Sequence, residues 1–154
     1  MRPGFCIVSV TSALLLFGGP ASAGGSAAAF SPFDSANAAI VGQNGYYLWN
    51  ESADFSALVT ADFGVGPAAN KSATVYGWTE GGNFNSCFIT ATALHSPTRV
   101  TGNFAYAPSA RGPFQLPLTL SAPPAGDDYA YQIECIVGNM NPLAPGGEQI
   151  WGFQ

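Results

Sequence analysis

The chain has 154 residues, 8% of them charged, and a formal net charge of −5. Ordinary domains carry about 25% charged residues, and the four basic residues here make no phosphate-tracking patch, which argues against nucleic acid and against an anionic membrane surface. The nine acids are scattered along the chain and form no solvating tail.

The first residues read as an address rather than as structure. Arg2 supplies a positive start, Phe5 to Phe17 (FCIVSVTSALLLF) is a short apolar run, and ASA at Ala21 to Ala23 fits a cleavage site. A signal peptide over residues 1–23 is therefore expected, with cleavage after Ala23 and loss of Cys6. The apolar run falls short of the roughly 20 residues that cross a bilayer, so no integral membrane span is expected. Residues 24–45 (GGSAAAFSPFDSANAAIVGQNG) are rich in Ala, Gly and Ser and show no sustained period. They read as a flexible N-terminal arm with one short strand near Ala39 to Val41, available for self-association by strand addition to a neighbour's sheet edge.

From residue 46 to residue 154 short β-like runs recur between Gly, Pro, Asn and Asp. They are Tyr46–Asn50, Ala57–Phe63, Ala73–Trp78, Ser86–Leu94, Arg99–Tyr106, Phe114–Leu120, Tyr129–Val137 and Gln149–Phe153. No window carries a helix-length apolar stripe at i, i+3, i+4. The pattern predicts an all-β, single-domain antiparallel β-sandwich of roughly seven to eight short strands.

Three runs have readable faces, because strand side chains alternate. Phe114, Leu116, Leu118 and Leu120 share one face, with Gln115, Pro117 and Thr119 opposite. Pro117 lacks an N–H, which puts its strand at a sheet edge or a bulge. Tyr129, Tyr131, Ile133, Cys135 and Val137 share a second apolar face. Cys87, Ile89, Ala91 and Ala93 share a third. Once Cys6 has left, Cys87 and Cys135 are an even pair facing an oxidising compartment, which predicts a disulfide, here expected to clasp the two facing layers. No tryptophan lies between these cysteines and Ile133 stands two before the second, so the immunoglobulin pattern does not fit.

SCFITATAL, LPLTL and YAYQIECIVG together resemble a diffuse group of short secreted bacterial two-cysteine β proteins, over about the last 70 residues. The resemblance implies export from a bacterium and brings neither an activity nor site residues.

Chemistry is thinly signalled. His95 is the only histidine, and ALHSPTR reads as a strand end and turn. No metal-ligand spacing and no nucleophile motif accompany it. Asp127 and Asp128 after PPAG read first as turn residues; calcium would need six to eight oxygens. No metal and no cofactor is expected. NES at Asn50 and NKS at Asn70 match glycosylation acceptors by pattern only. The aromatic stretch GYYLWNESADF is the richest signal: Tyr46 and Tyr47 are adjacent, so on a strand they face opposite ways. With Trp49 they make a candidate surface for a carbohydrate or protein partner.

These features favour an exported, non-catalytic β-sandwich with a binding or structural role, secreted, periplasmic or at the cell surface. A small outer-membrane β-barrel and a secreted hydrolase using His95 with Asp127 or Asp128 are the alternatives.

Overall fold

The computed structural model describes residues 24–44, 46–81, 85–139 and 147–154. The expected signal peptide and the cleavage position after Ala23 lie outside the described residues.

Twelve strands are described. They are β1 (Gly25–Ser26), β2 (Phe30–Pro32), β3 (Val41–Gln43), β4 (Leu48–Asn50), β5 (Ala57–Pro67), β6 (Lys71–Thr79), β7 (Ser86–Ala93), β8 (Arg99–Thr101), β9 (Ala105–Tyr106), β10 (Gly112–Leu120), β11 (Asp128–Val137) and β12 (Gln149–Phe153). They build two antiparallel sheets. In sheet A the order is β10-β6-β12-β4-β3, with β1 also on β12; in sheet B it is β2-β5-β11-β7-β8, with β9 also on β7.

The all-β antiparallel class agrees with the sequence, but the count exceeds the seven to eight strands expected. The additional strands are pieces of two or three residues, too short to show alternation by themselves. The run Arg99–Tyr106, for example, divides in two. Gly102 N–H turns to the Ile89 carbonyl (2.8 Å) and Asn103 N–H to the Thr119 carbonyl (3.2 Å), leaving β8 and β9 on either side.

The inward faces match the alternation. Phe114, Leu116, Leu118 and Leu120 of β10 are buried, as are Val59, Val75, Ile89, Tyr129, Tyr131, Ile133 and Val137, and they form one core between the sheets. The strand carrying Pro117 is the edge of sheet A. Pro113 and Pro117 share the side on which Thr119 takes its partner outside the sheet, the Asn103 side chain. An edge strand with no donor at two positions is a poor template for strand addition.

The segment 24–45 differs from the arm the sequence suggests, because its described part is built into both sheets. β1 pairs with β12, β2 with β5 and β3 with β4. Phe30 is buried with its ring edge-on to Phe153, centroids 5.7 Å apart, and Gln43 Nε2 donates to the Ala27 carbonyl at 2.7 Å. A four-residue helix (Ser35–Ala38), capped by Asp34 accepting from Asn37 N–H, joins β2 to β3. Phe30 and Ala27 are buried in the core and Val41 packs against it, and the Ala, Gly and Ser around them, with no sustained period, hide that docking in the sequence. Strand pairing within the chain leaves less of the segment for a neighbouring molecule.

Cys87 and Cys135 are bonded, as expected. The expected clasp between facing layers is corrected, however. The two cysteines are direct cross-strand neighbours on β7 and β11 of sheet B, with Cα atoms 4.1 Å apart. Both are fully buried under sheet A. The disulfide therefore ties two adjacent strands of one layer. Cross-strand pairs without mutual hydrogen bonds sit closest in an antiparallel ladder, so a bond there needs no excursion across the core.

Candidate functional site

Three side-chain groupings stand out, and the sequence separates the members of each widely. The first joins His95 to Asp127. The turn after β7 brings His95 Nδ1 to 2.9 Å from Asp127 Oδ1, on the lip of an open depression of about 440 Å³ that also meets Pro67, Gly126 and Asp128. The imidazole beside it, first of several hydrogen-bond partners, holds the Asp127 carboxyl below its ordinary range. Among the described residues no hydroxyl or thiol is bonded to His95, and Ser96 Oγ turns instead to Thr98 Oγ1 at 3.1 Å. Next to it Leu94 N–H donates to the Asp128 carbonyl at 2.9 Å. The pair latches the end of β7 to the start of β11.

The second grouping is a pair of buried carboxylates where β6 ends beside the start of β12. Glu148 is fully buried. Its Oε1 accepts from Thr79 Oγ1 (3.2 Å) and Glu80 N–H (3.1 Å), and its Oε2 from Asn85 Nδ2. Glu80 accepts from Trp78 Nε1 at 3.0 Å on one oxygen. The other oxygen is buried and has no well-aligned donor, only the charge of Arg111 Nε at 2.8 Å. Burial, with the neighbouring Glu80 charge adding to it, pushes the Glu148 carboxyl above its ordinary value of 4.5.

A carboxyl raised in the folded chain holds its proton where the unfolded chain has lost it, so stability falls as pH rises from about 4.5 through the raised value. Urea midpoints between pH 4 and 8 are expected to show this decline, and Glu148→Gln to flatten it. An unchanged slope in the variant would show that Glu148 does not titrate in this range. No spacing in the sequence marks these acids, because they sit 68 residues apart and only the β6–β12 pairing unites them.

The third grouping is the outer face of sheet A. Alternation along β6 turns Ala73, Val75 and Gly77 inward and Ser72, Thr74, Tyr76 and Trp78 outward. Register then lines up Pro113, Trp78, Gln149, Trp49 and Gly42 across five adjacent strands. Trp151 stands on β12 where a bulge interrupts its pairing with β6, 40% exposed. Tyr47 lies beside Trp49 with ring centroids 5.4 Å apart. All three tryptophans of the chain share this face.

The rings are held. Trp78 Nε1 donates to Glu80 Oε1 and Trp151 Nε1 to Gln149 Oε1, each at 3.0 Å. Trp49 lies over Gly42, where an added Cβ would come within 2.3 Å of the indole.

Of the predicted surface, Tyr47 and Trp49 belong to this face. Tyr46 is 84% exposed in the turn before β4, where Asn44 Oδ1 accepts from the N–H groups of both tyrosines. Sequence reasoning missed Tyr76, Trp78 and Trp151. Alternation in KSATVYGWT already puts Tyr76 and Trp78 together, but it does not say which face looks outward. Asn50 is buried, its Nδ2 donating to the Phe55 and Val137 carbonyls (2.7 and 3.1 Å), so it is closed to glycosylation in the folded chain. Asn70 is exposed.

Comparison with protein-family models, with curated proteins and with solved structures finds no match to this chain.

Proposed function

We propose that the protein is an exported, non-catalytic β-sandwich acting at or outside the cell envelope, and that it binds its partner through the outer face of sheet A. The observation that carries the binding role is the gathering of all three tryptophans on that one face, two of them with tied indole N–H groups. Rigid aromatics with few rotatable bonds lose little entropy on binding and present large contact area.

Export is supported by the N-terminal run of the sequence and by the buried disulfide, since such bonds persist in oxidising compartments. Two charged pairs hold the fold together: His95 with Asp127 latches two strands, and on sheet B Arg99 pairs with the buried Glu134, which also accepts from Thr90 Oγ1.

The test is expression of the full chain in a secreting bacterial host, followed by fractionation, N-terminal sequencing and thiol counting. A chain beginning at Gly24, recovered without detergent and with no free thiol, is the expected result. Retention in the cytoplasm with residues 1–23 attached, or recovery only in detergent, would overturn it.

A further inference from the structure

Resting on the reading that sheet A binds through its outer face, we infer that the ligand is an uncharged polysaccharide chain lying across the strands. Its direction follows from register. The row Pro113–Trp78–Gln149–Trp49–Gly42 runs perpendicular to the strands. At about 4.8 Å per strand it is roughly 19 Å long, with Trp78 and Trp49 about 10 Å apart on either side of Gln149. An extended ligand on this row meets two indoles in succession, with Tyr76 and Trp151 beside it.

Its chemistry follows from what the face offers. Because the Trp78 and Trp151 N–H groups already donate to side chains of the same chain, Glu80 and Gln149, a partner meets mainly ring carbon there. Trp49 packs over Gly42, and the charged group at this end of the row is the Glu51 carboxylate, which also lies against that glycine. The polar side chains interleaved with these rings on β6 and β10 are Ser72, Thr74, Gln115 and Thr119, all neutral. A sugar ring has the same alternation: an apolar face of C–H groups to lie on an aromatic, and a rim of hydroxyls that both donate and accept.

Charge excludes the acidic glycans. The bases nearest the row are Arg111, committed to buried Glu80, and Lys71, whose ammonium sits 4.4 Å from the Tyr131 ring centroid. The net charge of −5 repels polyanions.

The test uses the oxidised protein and purified polysaccharides: insoluble cellulose and chitin, soluble mixed-linkage β-glucan and xyloglucan, and the anionic polygalacturonate and alginate. Binding to at least one neutral polymer is expected, with a change in tryptophan fluorescence, and none to the anionic pair. Trp49→Ala and Trp151→Ala are each expected to weaken it about tenfold, consistent with loss of one aromatic contact. Trp49→Phe, which keeps a ring, should recover part of the loss. Circular dichroism and thermal midpoints of the variants establish that they fold.

Preference for the anionic polymers, or undiminished binding by a folded Trp49→Ala/Trp151→Ala variant, would overturn the inference. Should no polysaccharide bind while those two substitutions abolish attachment to a purified protein partner, the glycan is wrong and the binding face stands. If the substitutions alter no binding at all, both fall.

Discussion

Replacing both cysteines (Cys87→Ala with Cys135→Ala) is expected to lower the free energy of unfolding by about 4 kcal/mol, the chain-entropy value for closing a loop of this length. The bond spans a sequence separation of 48. The enclosed segment carries β8 and β9 on sheet B and then β10 at the edge of sheet A, so it crosses between the layers and returns. Without the bond, the unfolded chain regains the freedom of that whole excursion. Because a small domain is stable by only about 5–15 kcal/mol, the loss is a large share of the total. Guanidinium unfolding of the wild type with and without reductant, alongside the double variant, measures it. The reduced wild type and the variant should agree within about 1 kcal/mol. A cost below 1 kcal/mol would mean that the β7–β11 ladder already restricts the unfolded ensemble.

Gly77→Ala is expected to cost about 3 kcal/mol, at the upper end for overpacking a closed interior. Gly77 faces inward on β6 beneath the aromatic row. A Cβ there would sit 2.2 Å from the Gln149 carbonyl oxygen and 2.4 Å from the Phe114 ring. Phe114 could swing aside, but the carbonyl belongs to the neighbouring strand, so β6 and β12 would have to separate. Trp78 and Gln149 stand on those same strands in direct register, so the variant should also disturb the tryptophan emission. Urea unfolding followed by fluorescence reads both effects. A midpoint equal to wild type would show that the strands yield more readily than the packing indicates.

Much of the layering is legible in the amino-acid sequence. Alternation in FQLPLTL and YAYQIECIV assigned the buried sides of β10 and β11, because period-two patterning reflects burial on one face. Pro117 marked an edge or a bulge, because a residue without an N–H cannot donate to a neighbouring strand. The two cysteines predicted their own bond. The short strands were not legible, since two or three residues hold too little pattern to separate strand from loop. Phe30 shows why the N-terminal segment misled: its docking depends on Phe153, at the other end of the chain.

By itself, then, the amino-acid sequence determined the all-β class, the inward faces of the long strands and the pairing of Cys87 with Cys135. All of these are carried by local alternation or by residue type. Only the tertiary structure decided that the disulfide lies within one layer, that Glu80 and Glu148 share a buried corner, and that Trp49, Trp78 and Trp151 meet on one surface. The physical reason is strand order: β4, β6 and β12 are neighbours in sheet A although the chain visits them far apart, and such pairing is chosen by the whole core rather than by any single segment.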